Sequence, residues 1–245
     1  MAFSCDEVVD IHTHILPGID DGPATLEGSL ALGRCYARLG ITRVICTSHY
    51  IPGTAWAASR EIVLQKMAAV QDCFAGNDVA VTLLSGMEIA FHRKLIERLE
   101  RGELLPLAAS ARYLVEPTFG DGVDELLATL ATLSARGYGI ILAHPERIPT
   151  IQEMAEKVAG FVLDHGVEIQ LNAGSLLGKF GNDSRRTALR FILRGCVQYL
   201  GSDAHDAEAR RPPDATEWQE LEQIVGSDQL RQWCCVNPAG LVGER

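Results

Sequence analysis

Apolar residues in this chain concentrate in seven short runs separated by longer segments of helical periodicity. The runs are VVDIH from Val8, ITRVICT from Ile41, VAVTLLS from Val79, YLVEP from Tyr113, GIILAH from Gly139, VEIQLN from Val167 and VQYLGS from Val197. Each is rich in Val, Ile and Leu, as expected of a strand buried on both faces. Between them the pattern predicts helices over about 25–39, 57–74, 91–101, 123–136, 151–165 and 184–194. Four of these six stop at a glycine (Gly40, Gly137, Gly166 and Gly195), the residue that closes a helix in the left-handed conformation without steric cost. A strand follows each glycine almost at once, which is the βα rhythm of a parallel sheet or barrel.

After the seventh run, Arg210-Arg211-Pro212-Pro213 breaks the pattern. The segment EWQELEQIVGSDQLRQWCCV then reads as one or two helices outside the barrel, and Asn237-Pro238 starts a last helical turn. No linker, low-complexity tract or close repeat interrupts the chain. The expected organisation is α/β, one domain over 1–245, with a barrel over about 8–211 and C-terminal helices over about 214–245.

Composition narrows the function classes. The 245 residues carry 22 Lys plus Arg against 32 Asp plus Glu, a net charge of −10, which disfavours broad contact with nucleic acid or anionic lipid. No apolar run approaches the ~20 residues of a membrane span, and the first residues lack a signal-peptide pattern. A cytoplasmic protein without membrane insertion is expected. The seven cysteines (Cys5, Cys35, Cys46, Cys73, Cys196, Cys234 and Cys235) form no Cys-x-x-Cys pair and read as reduced thiols. No cysteine has an arginine six positions later, no serine sits in Gly-x-Ser-x-Gly, and Gly178-Lys179 is followed by Phe180. Cysteine-dependent phosphatases, serine hydrolases and P-loop enzymes are thereby disfavoured.

The strand ends carry the chemistry. The runs lead in turn to His12 and His14, to His49, to Glu88, to Glu116, to His144, to Asn172, and to Asp203 with His205. In a (β/α) barrel those ends converge on one mouth, where active sites lie. His-x-His on a strand points both imidazoles the same way. Imidazole mixed with carboxylate, and no thiolate, suits Mn²⁺, Fe²⁺ or Zn²⁺. His92, placed on a helix by this pattern, and His165, placed before Gly166, read as structural or surface residues.

At these positions the chain resembles the PHP (polymerase and histidinol phosphatase) superfamily, and within it the manganese-dependent protein-tyrosine phosphatases of bacterial capsule and exopolysaccharide gene clusters. DIHTHILPGIDDGP, CTSHY, GMEI, LVEP, LAHPER, LNAGSLLGKFG, GSDAH and RRPP carry the resemblance, from Asp10 to Pro213. It implies a distorted seven-stranded (β/α) TIM-like barrel holding two or three divalent ions, with Mn²⁺ expected and Fe²⁺ or Zn²⁺ as alternatives. One ion would take His12, His14, Glu88 and Asp203. A second would share Glu88 and add Glu116 and His144, and a third would use Asp21, His49 and His205. Only the resemblance nominates Asp21, and its neighbour Asp20 competes for the role. Arg147 and Arg211 match arginines that hold the substrate phosphate, while His205 or Asp206 is a candidate to assist the leaving group. The implied partner is the phosphotyrosine tail of a bacterial tyrosine kinase controlling polysaccharide export. A PHP phosphatase of a small phosphomonoester, such as histidinol phosphate or a sugar phosphate, shares the same ligands. So does a regulator that binds a phosphorylated partner without turnover. Homo-oligomerisation stays open. The segment Tyr50–Trp56 departs from the basic residues common at that point of the family.

Overall fold

A computed structural model describes residues 7–118 and 122–243. Cys5 lies outside them. The predicted strands form β1 (Val9–Thr13), β2 (Arg43–Cys46), β3 (His49–Tyr50), β4 (Thr82–Ser85), β5 (Glu88–Ala90), β6 (Arg112–Glu116), β7 (Gly139–Ala143), β8 (Glu168–Asn172) and β9 (Val197–Gly201). The second and third predicted strands are each broken in two, which is why seven runs give nine segments. All ladders are parallel, in the orders β1-β2-β4 and β3-β5-β6-β7-β8-β9.

The two sheets are continuous along the chain, because β2 runs on into β3 and β4 into β5. Past the end of β9, Asp203 N–H donates to the His12 carbonyl at 2.9 Å, and His14 N–H donates to the Ala204 carbonyl at 2.8 Å. These bonds tie the exit of β9 back to β1, so the strands run as a ring in chain order. The result is a distorted α/β barrel, one of the two arrangements that the alternation of strand and helix allows.

Alternate strand residues divide the core in two. Ile140, Leu142, Ile169 and Leu171 belong to the large cluster shared with the surrounding helices. Ile11, Ile45, Leu114, Ile141 and Tyr199 form a separate cluster inside the ring, joined by Leu241 and Val242 of the last helix, Asn237–Val242. That apolar plug fills the ring, so polar chemistry is confined to the mouth at the carboxyl ends. Each such buried side chain contributes about 1.5–3 kcal/mol relative to exposure.

The outer helices follow the predicted ones closely. Gly40, Gly137, Gly166 and Gly195 all adopt positive φ, between 64° and 85°. The helix predicted over about 91–101 is shorter, Leu95–Glu100, and leaves His92 in the turn before it. His165 ends the helix Ala155–His165, where its ring stacks on Phe161 at 4.1 Å. The C-terminal segment forms the helices Ala215–Val225 and Ser227–Arg231, a wider π-helical turn over Gln232–Val236, and then the last helix. Trp233 Nε1 donates to the Val197 carbonyl at 2.9 Å and anchors this segment to β9. Among the described residues no helix is long and apolar enough to cross a membrane.

Cys35, Cys46, Cys73, Cys196 and Cys234 are free thiols. Cys235 is disulfide-bonded, which corrects the expectation of reduced thiols throughout. Cys234 and Cys235 are both buried in the large apolar cluster.

Candidate metal centre

β1 does not deliver its histidines by simple alternation. Its register against β2 shifts between Asp10 and Thr13. Asp10 therefore turns outward to accept from the Tyr36 hydroxyl at 2.8 Å, while His12 and His14 both face the mouth. Irregularities of this kind re-aim side chains near functional sites. The breaks after β2 and β4 act similarly. His49 and Glu88 each open the second segment and stand opposite one another in the β3–β5 ladder.

The converging side chains form overlapping groups. The ligand atoms of His14, Asp21, His49 and His205 lie within 4.8 Å of one another, and the same holds for His12, Glu88 and His144, for His12, His14 and Asp203, and for His49, Glu88 and Glu116. All nine residues nominated above for metal binding thus meet at one centre. The grouping differs in detail from the one the resemblance implies. His49 sits between Asp21 and the Glu88–Glu116 pair, and His144 is closer to Glu88, at 2.8 Å, than to Glu116, at 4.0 Å.

Surrounding groups fix which nitrogen each ring presents. His12 Nδ1 donates to Gln170 Oε1 at 2.9 Å, and His14 Nδ1 donates to Asp20 Oδ2 at 2.9 Å. His205 Nδ1 donates to the Asp203 carbonyl at 2.8 Å. In all three the Nε2 atom is left facing the centre, the arrangement by which outer partners set tautomer and ring angle. His205 Nε2 lies 3.1 Å from Asp21 Oδ1 but is not aligned for a hydrogen bond with it. Asp206, the other candidate for the leaving group, binds its own loop through Oδ1, which accepts from Glu208 N–H and Arg210 N–H.

Asp203 links the centre to the cationic side chains. Its Oδ1 lies 3.3 Å from His14 Nε2 and 3.6 Å from His12 Nε2. Its Oδ2 accepts from Arg147 at 2.7 Å, Asn172 at 2.9 Å and Arg210 at 3.2 Å. Arg147 also stacks over Phe180 at 4.1 Å. Arg211 is placed differently. It lines the same cavity of about 180 Å³ beside Asp203, but its guanidinium is held by Glu217 at 2.7 Å and Asp214 at 2.8 Å, the capping pair of the helix Ala215–Val225. Arg210, Gln170 and Asn172 contact the candidate ligands Asp203 and His12, positions to which the sequence assigns no role. The inward parity of Gln170 and Asn172 on β8 was the available signal. For Arg210 there was none beyond its adjacency to Arg211.

His144 and Asp203 are held at φ of 30° and 54°. A non-glycine residue there costs about 1–3 kcal/mol, and such strain clusters at functional sites. Gly201 leaves the room these rings need, since a Cβ there would come within 2.8 Å of His12 Cβ and 2.9 Å of Gln170 Nε2.

The donor set fits divalent cations. Glu88 Oε2, His49 Nδ1, His144 Nδ1 and His205 Nε2 are buried polar atoms that make no well-aligned hydrogen bond to protein groups, although His49 Nδ1 lies 2.9 Å from Glu88 Oε2 and His205 Nε2 lies 3.1 Å from Asp21 Oδ1. Burying such atoms unpaired is costly, and a cation between them would remove the cost. The electrostatics agree. Burial opposes charge on His12, yet Glu88 and Asp203 hold its pKa up at about 9. Burial and then the charge of Glu88 push Glu116 up to about 8. Glu88 itself, although buried, is held well below the usual carboxylate range by His12 and His49.

Similarity to known proteins agrees with this geometry. The family model described as capsular polysaccharide synthesis, CpsB/CapC, matches residues 8–243. The chain is 31% identical over 225 residues to the tyrosine-protein phosphatase YwqE of Bacillus subtilis, covering 90% of this chain and 86% of that one. It is 25% identical over 230 residues to the tyrosine-protein phosphatase CpsB of Streptococcus agalactiae, covering 92% and 94%. Among solved structures it matches one from the work on YwqE of B. subtilis and CpsB of Streptococcus pneumoniae, described as metal-dependent tyrosine phosphatases. The TM-score is 0.83 at 26% identity, with 93% and 96% of the chains covered. A zinc-containing histidinol phosphate phosphatase from Lactococcus lactis shares the fold alone, with a TM-score of 0.58 at 11% identity over 89% and 92% of the chains. The chain belongs to the CpsB/CapC family of capsular polysaccharide synthesis proteins.

Proposed function

We propose that this protein is a metal-dependent protein-tyrosine phosphatase whose substrate is the phosphotyrosine tail of a bacterial tyrosine kinase controlling capsular or exopolysaccharide synthesis. The observation that carries the reading is Asp203, which turns one oxygen to the imidazoles of His12 and His14 and the other to Arg147 and Arg210. The histidine and carboxylate cluster and the cationic groups thus share one mouth, as phosphate ester chemistry requires. His12, His14, Asp21, His49, Glu88, Glu116, His144, Asp203 and His205 would hold the ions, Mn²⁺ first among them, with Fe²⁺ or Zn²⁺ as alternatives. Bound divalent ions lower the pKa of water towards about 7 and neutralise phosphate charge.

The chain's own residues do the rest. Arg147 and Arg210 place planar guanidinium groups beside the carboxylates, where they offer paired N–H donors to phosphate oxygens. Asn172 and Phe180 hold Arg147 and Asp203 in position. Gln170 and Asp20 orient His12 and His14. A tyrosine phenolate has a pKa near 10, so it departs with less protonation than an alkoxide needs. That suits a mouth in which His205 Nδ1 is bound to the Asp203 carbonyl and Asp206 Oδ1 to its own loop.

The test is metal analysis of the purified protein together with hydrolysis of a phosphotyrosine peptide. His14→Ala should lower metal content and reduce turnover by more than about 100-fold, since loss of an outer partner alone costs 10–100-fold. Full activity of a metal-free His14→Ala protein with native circular dichroism would refute the reading.

A further inference from the structure

Trp56 stands apart from the other two tryptophans of the chain. Trp218 and Trp233 are buried at 5% and 2% exposure, whereas Trp56 is 36% exposed. Its indole lies nearly parallel to the His49 imidazole, with ring centroids 5.5 Å apart and planes 7° apart. His49 in turn faces Glu88 at 2.9 Å and Asp21 at 3.6 Å. The indole therefore sits on the rim of the centre, stacked directly on one of its candidate ligands.

The segment that carries it is firmly built. Tyr50 and Ala57 form an antiparallel bridge, and Ile51 N–H donates to the Trp56 carbonyl at 2.8 Å. Thr54 Oγ1 donates to the Ile51 carbonyl at 2.8 Å and accepts Trp56 N–H at 3.1 Å. Arg98 donates to the Tyr50 hydroxyl at 2.6 Å. The backbone of His49 is already fixed without the indole, through its main-chain N–H to Asp20 at 3.0 Å and its pairing opposite Glu88, and its ring has Glu88 Oε2 2.9 Å from Nδ1. A large aromatic surface held rigid and partly in water at a mouth is more than support for one ligand requires, and aromatic faces pack favourably against other aromatic rings.

We propose that Trp56 is the aryl platform of this site: the ring of a phosphotyrosine packs against the indole while its phosphate reaches the centre, so that Trp56 selects aryl over alkyl phosphate esters. The inference rests on the phosphatase reading for its substrate, but it is tested by binding as well as by turnover. Phenylphosphonate and methylphosphonate, which are not hydrolysed, serve as the probes on manganese-loaded protein. Calorimetric titration should show the wild type preferring phenylphosphonate. Trp56→Ala should lose about three- to tenfold of that preference, and Trp56→Phe should keep most of it, with metal content unchanged in both. Indole fluorescence of the wild type should respond to phenylphosphonate, and Trp56→Phe should abolish the response, because Trp218 and Trp233 are buried. An equal loss for both probes would mean that Trp56 only props His49, and would overturn the proposal. Absence of aryl preference in the wild type, or its survival in Trp56→Ala, would overturn it too. A platform that selects phenylphosphonate in a protein unable to hydrolyse a phosphotyrosine peptide would instead sink the phosphatase reading and leave the platform standing.

Discussion

Asp20 Oδ2 lies 2.9 Å from His14 Nδ1 and also accepts the main-chain N–H of His49 at 3.0 Å. Its neighbour Asp21 turns Oδ1 instead to His205 Nε2, 3.1 Å away. Two adjacent carboxylates thus take different tasks. Asp20 aims a ligand and joins two strand ends, while Asp21 presents an oxygen to the centre.

Their substitutions should separate these tasks. Asp21→Ala should lower metal stoichiometry, because it removes a ligand atom. Asp20→Ala should keep the stoichiometry reachable at high metal concentration but weaken affinity about 10–100-fold. Elemental analysis after dialysis against graded metal concentrations reads both. The assignment fails if the two variants exchange these phenotypes.

Arg210 and Arg211 should also diverge. Arg210 contacts Asp21 and Asp203, whereas Arg211 is bound to Asp214 and Glu217. Arg210→Ala should raise KM for a phosphotyrosine peptide by about tenfold or more, the loss of one charge-assisted contact. Arg211→Ala should mainly lower thermal stability, by about 1 kcal/mol for its partly buried contacts with Asp214 and Glu217. Steady-state kinetics beside a melting curve decide it. A larger kinetic defect in Arg211→Ala would return the phosphate to that residue.

Metal loading should release protons. In the metal-free protein His12 stays protonated below a pKa of about 9 and Glu116 below about 8. Both must lose their protons to become ligands, so protons compete with cations and apparent affinity falls as pH drops from 8 to 6. Calorimetry in two buffers of different ionisation enthalpy measures the count at pH 7. Zero release with pH-independent affinity would contradict the charge balance described here.

Thiol reagents should leave turnover intact. None of the free cysteines belongs to the centre, and burial pushes the thiols of Cys46 and Cys234 far above their usual range and that of Cys196 up to about 11. Such thiols carry little reactive thiolate at neutral pH. Iodoacetamide treatment followed by assay and mass spectrometry gives the answer. Stoichiometric inactivation would point to a cysteine nucleophile.

The amino-acid sequence by itself determined the strands, the helices and the mouth. Buried parallel strands are written as apolar runs, helix ends as glycines, and ligands as polar residues at run ends, all of which are local patterns. Asp21 was legible only through resemblance, because a loop residue has no periodicity to place it. The tertiary structure decided what depends on direction rather than type. It broke the second and third strands so that His49 faces Glu88, shifted β1 so that Asp10 leaves the mouth that His12 enters, and gave Arg210 rather than Arg211 the contact with Asp203. Each of these turns on a local rotation or a single-residue choice, settled by ring closure and by carboxylates from distant segments. A one-dimensional pattern of polar and apolar positions carries no record of those rotations.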